Sequence, residues 1–297
     1  MNSASDPEVR KSGIGGSDAA VILGLSDYKS PYELWLEKRG QLAPADLSDN
    51  ASVHWGIRLE SAIADEYAER HQVKLRNVNA TRRLKDADFV MAHIDRDIVG
   101  EKRGLEVKTT SRFALGDQWG APGTDQVPDG YLVQCQHYML VYGYPVWDLA
   151  VLIDGREYRD YRIPFDRGLA DDLLAAEAEF WAAVQSGEQP EFDMDSKRAL
   201  DVMQRLYTGS DGSRIEADGD IEAWNQIRIQ ATAEIKSYEG VRDGALAHML
   251  RYMKSAAILG FKDGSELRRA MRKRGAYSVE ATEYLHTQFY PAKKGEK

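Results

Sequence analysis

The chain predicts an α/β or α+β fold in which a mixed central sheet is flanked by helices. Strand-like runs lie at residues 76–84, 89–94, 105–109, 146–153 and 158–164. Segments of helical length and period lie between and beyond them, at 51–70, 131–142 and 166–186. A hydrophobic content of 43% over 297 residues is enough to bury a large core between such layers.

Near the start, Gly13-Ile14-Gly15-Gly16-Ser17-Asp18 runs into a short apolar helix over residues 19–25. A glycine loop and a Ser cap at a helix start offer backbone N–H groups to an anion, phosphate above all, or they serve only as a flexible cap. The stretch is neither a Walker loop, since no Gly-Lys-Ser/Thr follows, nor a dinucleotide fingerprint, since no strand precedes it. Ser30, Pro31 and Glu33 form a capping box with proline at the first helical position, opening a helix to about Arg39. Residues 41–50 read as a loop.

In the helix over 51–70, Gly56, Glu60, Ile63 and Tyr67 share one stripe. A carboxylate at the edge of an inward stripe is costly unless a metal or a base such as Arg58 compensates it. The run 89–94 is closed by Asp95, residues 96–103 read as a turn, and 105–109 form the returning strand. Alternation puts Glu106 and Lys108 on one face and Leu105, Val107 and Thr109 on the other. An antiparallel return then brings Asp95 beside Glu106 and Lys108. Two carboxylates and the Val107 carbonyl offer a hard-oxygen site for Mg²⁺ or Mn²⁺. The Lys108 ammonium stands where it can orient water or neutralise developing charge. The plainer alternative is a solvated hairpin carrying one ion pair.

Residues 113–130, rich in Gly and Pro, read as a mobile loop near that hairpin. The helix over 131–142 aligns Tyr131, Gln134, Tyr138 and Val141 on one face. The Gln134 amide either satisfies a backbone group or holds a metal-bound water or a phosphate oxygen. A hairpin turns at Asp154-Gly155, and the helix over 166–186 is ended by Gly187 and Pro190. The expected organisation is a core over 1–190, a linker over 191–219 and a helical, locally basic region over 220–297. Within that region, 220–254 read as one long helix or two stacked ones interrupted near Gly240 and Gly244, and 265–290 as a helix followed by a strand.

The formal charge is −9, yet residues 241–297 hold twelve Lys and Arg against six Asp and Glu, leaving −15 on the first 240. The asymmetry reads either as an acidic exterior with a local basic channel or as a basic tail that is merely a solvated surface. Cys135 is the one cysteine, which excludes an intrachain disulfide and a thiolate zinc or iron–sulfur site. No His-Glu-x-x-His site is present. Without a membrane-length apolar run or a signal-like start, the expectation is a cytoplasmic enzyme with no membrane partner.

The blocks GIGGSDAAVILGLSDYKSPYELWLEKRG, GIRLE, AHIDRD, LEVK and YLVQCQHYMLVYG, in this order, resemble the YqaJ viral recombinase family. Those proteins are relatives of phage lambda exonuclease within the PD-(D/E)XK nucleases, and the likeness covers residues 10–190. The resemblance implies a restriction-endonuclease-like core and a Mg²⁺-dependent phosphodiesterase digesting double-stranded DNA from 5′ ends, encoded by a phage or prophage. It implies Asp95, Glu106 and Glu60 as metal ligands with one or two ions, Lys108 as the catalytic lysine and Gln134 as their support. Arg10 and Ser17 fall where the family holds a terminal 5′-phosphate. A homotrimer threaded by DNA and a single-strand annealing protein are the implied partners. Ile94 stands where the superfamily commonly has proline before the motif aspartate, and Asp97 is a possible substitute ligand. The competing readings are an endonuclease of the same superfamily and a catalytically silent DNA-binding protein.

Overall fold

The computed structural model describes residues 7–115, 118–196 and 198–271. The chain divides into two units, Met1–Tyr207 and Thr208–Lys297.

The first unit opens with α1 (Pro7–Lys11), α2 (Gly16–Ile22), α3 (Pro31–Lys38) and α4 (Ala51–His71). Then come β1 (Leu75–Asn77), β2 (Arg82–Leu84), β3 (Ala87–Ala92), β4 (Arg96–Ile98) and β5 (Arg103–Thr110). The elements α5 (Arg112–Leu115), α6 (Asp129–Tyr142), β6 (Val146–Ile153), β7 (Glu157–Pro164), α7 (Arg167–Ser186) and α8 (Ala199–Leu206) complete it. Five strands form the central sheet in the order β1-β4-β5-β6-β7. Only β5 and β6 pair in parallel. Their connection carries α5 and α6, as a parallel pair needs a long crossover. The predicted mixed sheet flanked by helices is therefore present.

Alternation along the strands assigns the two faces. Leu105 and Val107 of β5 and Ala150 of β6 pack with Ile63, Ala64 and Tyr67 of α4. Trp147, Leu149, Val151 and Ile153 of β6 pack with Cys135, Tyr138, Met139 and Val141 of α6. Burial of each such aliphatic side chain contributes roughly 1.5–3 kcal/mol, so these two layers fix β5 and β6 between α4 and α6. Glu106 and Lys108 accordingly face α6. A second apolar cluster joins Leu34, Trp35 and Leu36 of α3 to Phe180 and Val184 of α7 and Val202 of α8.

Several elements follow the sequence closely. Ser30 accepts the Glu33 N–H at 3.2 Å and Glu33 reciprocates on the Ser30 N–H at 3.3 Å, with Pro31 at the first position of α3. Between β6 and β7, Asp154 and Gly155 have φ of 51° and 69°, and the Arg156 N–H closes the turn on Ile153 O at 3.1 Å. Two successive positive φ values are what a tight hairpin turn of matching twist requires.

Others differ for physical reasons. The run 76–84 is not one strand: β1 joins the central sheet, whereas β2 pairs with β3 in a separate two-stranded sheet. The predicted turn at 96–103 contains β4, whose charged residues are buried because each has a partner. Arg96 pairs with Glu60, and Asp97 with Arg76 and the Tyr144 hydroxyl. The predicted mobile loop at 113–130 includes α5 and an anchored stretch. Trp119 and Val127 are buried, and backbone bonds from Gly123 to Asp160 and from Arg162 to Thr124 tie the stretch to β7. The expected linker contains α8, which belongs with the core: Val202 is buried, and Arg198 and Arg205 both reach the buried Glu33.

The second unit contains α9 (Gly219–Met253) and a hairpin of β8 (Ile258–Gly260) and β9 (Glu266–Arg268). At 35 residues the helix is about 50 Å long. It runs through Gly240 and Gly244 without interruption, started by the Asp218 side chain on the Ile221 N–H. Of the helix and strand expected over 265–290, residues 266–268 are strand, and those from 272 onward lie outside the described residues.

Candidate active site

The site begins where β4 stops pairing with β5. Arg96 stands opposite Leu105 and Asp97 opposite Gly104, so Asp95, just ahead of β4, reaches β5 at the level of Glu106. Its Oδ2 accepts the Val107 N–H at 2.9 Å. The N–H and C=O of one strand residue point to the same edge, so the Val107 carbonyl opens toward Asp95. The predicted antiparallel return thus holds, with β4 rather than the run 89–94 as the partner strand.

Glu106 is 3% exposed and is held from two elements. Its Oε1 receives Lys108 Nζ at 2.6 Å and the Gln134 amide at 2.8 Å. The same amide lies 2.7 Å from the Tyr138 hydroxyl. Glu106 Oε2 is buried with no hydrogen-bond partner among the described residues. Lys108 Nζ also sits 5.1 Å from the centroid of the Tyr131 ring, a cation–π contact.

The electrostatics follow from crowding. Burial first, and then the neighbouring Glu106, push the Asp95 carboxyl up to about 8, against the opposing Val107 N–H and Lys108. Burial works against the Lys108 ammonium, but Glu106 outweighs it and raises that group above the usual lysine range. The lysine therefore stays charged at neutral pH, while burial, reinforced by Glu106, favours the protonated Asp95.

Glu60 on α4 is partly exposed, and its Oε1 is taken by Arg96 at 2.6 Å. Its charge still adds to the upward shift of Asp95. Glu60, Asp95 and Arg96 border one cavity of about 390 Å³. Asp97 is 4% exposed and is bonded to Arg76 and the Tyr144 hydroxyl.

Arg10 and Ser17 are both exposed, on α1 and α2. Ser17 is not the helix cap: Gly15 precedes α2, and the Asp18 carboxylate accepts the Gly15 N–H at 3.0 Å. Lys38 binds that carboxylate at 2.6 Å and the Arg10 and Gly13 carbonyls at 2.7 Å each. The chain's own Asp18 thus takes one N–H, that of Gly15, of the stretch predicted to offer such groups to an anion.

Among the described residues, no three His, Cys, Asp or Glu side chains are drawn together as a metal cluster. Glu60 is turned to Arg96 and Glu106 to Lys108. The donors present nevertheless fit a hard divalent cation. The orphaned Glu106 oxygen, the crowded Asp95 carboxyl and the Val107 carbonyl are all oxygen ligands, and an unpartnered buried oxygen beside a second carboxylate is costly without a cation. Of the residues expected at the site, the structure brings Asp95, Glu106, Lys108 and Gln134 together. Sequence reasoning did not assign Tyr131 or Tyr138 a task, although both lie on the Gln134 stripe, and it missed Arg96 as the partner of Glu60.

Comparison with known proteins adds a family. Residues 7–145 match the YqaJ-like viral recombinase domain. Over 230 residues the chain is 39% identical to the protein YqaJ of Bacillus subtilis (strain 168), covering 76% of this chain and 69% of that one. An alkaline exonuclease from Laribacter hongkongensis is similar with a TM-score of 0.47 and 17% identity, over 61% of this chain and 91% of that one. A phage-related exonuclease from Haemophilus somnus 129PT is similar with a TM-score of 0.42 and 14% identity, over 59% and 96% of the respective chains.

Proposed function

The chain belongs to the YqaJ-like viral recombinase family, and on that premise we propose that it is a Mg²⁺-dependent deoxyribonuclease. Its substrate is double-stranded DNA with a 5′-phosphorylated end, digested 5′ to 3′ in the service of single-strand-annealing recombination. The observation that carries this reading is the buried Oε2 of Glu106, without a hydrogen-bond partner among the described residues, beside a second crowded carboxylate. Left to the protein alone, that pair is unfavourable, and a divalent cation relieves it.

Asp95, Glu106 and the Val107 carbonyl would hold the ion, with Glu60 adding a third carboxylate from across the cavity. Bound there, Mg²⁺ or Mn²⁺ supplies Lewis-acid stabilisation of charge developing on a phosphate. Lys108, charged at neutral pH, holds the attacking water or a phosphate oxygen in place. Gln134 keeps the Glu106 carboxylate oriented through its 2.8 Å bond. Tyr131 limits where the ammonium can go. Arg10 and Ser17 would receive the terminal 5′-phosphate. A trimer enclosing the duplex and a single-strand annealing partner in the host cytoplasm complete the proposal. Among the described residues no helix is long and apolar enough to cross a membrane.

The test is digestion of a linear 5′-phosphorylated duplex in Mg²⁺ by wild type and Lys108→Ala, with a covalently closed circle alongside. The linear duplex is consumed, the circle is left intact, and the variant is slower by about 100-fold or more, the scale of losing one preorganised charge-stabilising group. Equal rates in wild type and variant would remove Lys108 from the chemistry. Cleavage of the circle would make the protein an endonuclease.

A further inference from the structure

Heptad spacing, the pattern by which one helix pairs with another, runs the length of α9. Alternating steps of three and four residues pick out Ile221, Trp224, Arg228 and Ala231, then Ile235, Tyr238, Arg242 and Ala245, then Met249 and Tyr252. The seam thus repeats every fourteen residues: an aliphatic side chain and an aromatic ring, then an arginine and an alanine. Solvation alone asks for no such order. Met253 is the one buried residue of α9 among the described residues, and on the seam Ile235 is 61% and Tyr238 73% exposed. A helix draws most of its stability from packing an apolar face, which this one does not do within the chain. With Ile227, Val241, Leu246 and Leu250 exposed beside it, the seam offers on the order of 800 Å² per chain, the size a specific protein–protein interface needs.

We propose that α9 pairs with α9 of a second copy of this chain as an antiparallel two-stranded coiled coil. Reversal of the helix close to its own midpoint sets Ile221 opposite the partner's Tyr252, Arg228 opposite the partner's Ala245, and Ile235 opposite the partner's Tyr238. Every aliphatic residue then meets a ring and every arginine an alanine, the alternation of large and small that lets facing layers interdigitate. Beside so small a neighbour an arginine stem lies flat and carries its charge to the rim. Arg228 and Arg242 are already turned to polar groups of their own helix, Asn225 at 3.1 Å and Asp243 at 2.9 Å. A parallel pair in register instead stacks each arginine on its own copy. Sliding that pair by one heptad avoids the clash but gives up the two-fold symmetry that closes a dimer. The pairing is independent of the nuclease reading.

Light scattering on the eluting full chain tests this, comparing wild type with Ile235→Asp/Tyr238→Asp. The wild type runs at twice the mass of the variant, whatever assembly the first unit forms by itself. Both side chains are exposed in the single chain, so their replacement removes no core packing and the first unit melts as before. Direction is read from Arg228→Cys/Ala245→Cys, oxidised and mapped by peptide mass spectrometry. The two positions lie about 25 Å apart along one helix, beyond the roughly 7 Å that a disulfide spans, and the native Cys135 is buried. A link between 228 and 245 therefore joins two chains running in opposite directions. Equal masses for wild type and the aspartate variant would overturn the pairing, as would disulfides joining 228 only to 228. Either result leaves the nuclease reading untouched, since digestion of DNA is measured separately.

Discussion

Asp95→Asn in the metal-free protein provides a direct measure of the crowding at the site. In the folded chain the Asp95 carboxyl is raised from 3.8 to about 8, by burial and then by Glu106. Between those two values the native state keeps a proton that the unfolded chain has released, so the native state binds more protons and stability falls as pH rises through that window. Below about 4 both states are protonated and the penalty is absent; above about 8 it is complete. A tenfold change in proton affinity is worth about 1.4 kcal/mol, which sets a ceiling of about 6 kcal/mol on the penalty. Relaxation and water in the adjoining cavity reduce this to about 2 kcal/mol. Asparagine has nearly the same shape, keeps an acceptor for the Val107 N–H and carries no charge. Thermal melts in chelator should therefore show wild type losing more stability from pH 5 to pH 8 than the variant, which keeps only the slope of other groups such as His137. At pH 8 the variant should melt about 4–8 °C higher, at about 2–4 °C per kcal/mol for a domain of this size. Added Mn²⁺ should raise the wild-type melting temperature and leave the variant less affected. A variant no more stable than wild type at pH 8 in chelator would show that neither burial nor Glu106 penalises the Asp95 charge, and the argument for a cation would lose its basis.

Three further outcomes follow from the geometry. Tyr131→Phe keeps the ring under Lys108 and should retain nuclease turnover, whereas Tyr131→Leu should lower kcat several-fold with little change in KM; equal kcat in both variants would remove the ring from any positioning role. Gly104→Ala would put a Cβ 2.2 Å from the Trp147 ring, and overpacking of this kind costs about 1–3 kcal/mol, measurable as a lowered urea midpoint. Glu177→Ala strands the His137 imidazole, which is fully buried between Glu177 at 2.7 Å and the Met91 carbonyl at 2.9 Å, and loss of one partner of a buried pair costs about 3–5 kcal/mol. Burial opposes the His137 charge, but Glu177 outweighs it and raises its pKa. The stability this pair contributes is thus fully present below the unfolded histidine value and declines as pH rises through the raised one, a slope that denaturation of wild type should show and Glu177→Ala should lack.

The elements legible in the sequence were those whose own residues decide them. The capping box at Ser30 and Glu33, the Asp154-Gly155 turn and the apolar face of α6 each carry their signal within a few residues, and the structure follows them closely. The strand β4 was hidden because Arg96 and Asp97 look like turn residues until their partners are known. Those partners, Glu60 and Arg76, lie 36 and 21 residues away. The same distance effect concealed Trp119, whose place in the core depends on Tyr131 and Tyr161. At the site, the proximity of Asp95, Glu106 and Lys108 could be read from alternation and an antiparallel return alone. The orientation of Glu60 could not, because a carboxylate at a helix edge turns to whichever cation tertiary packing supplies.

One consequence of the brevity of β4 reaches beyond this chain. A three-residue strand covers only the first part of its eight-residue neighbour, and where it ends, main-chain groups of β5 are released from ladder duty. A ligand in that gap meets peptide oxygen that no substitution can delete. Lengthening β4 by two residues would seal the gap with ordinary cross-strand bonds. The reach of one short ribbon, as much as any acidic residue, decides whether this sheet has a working edge or a closed one.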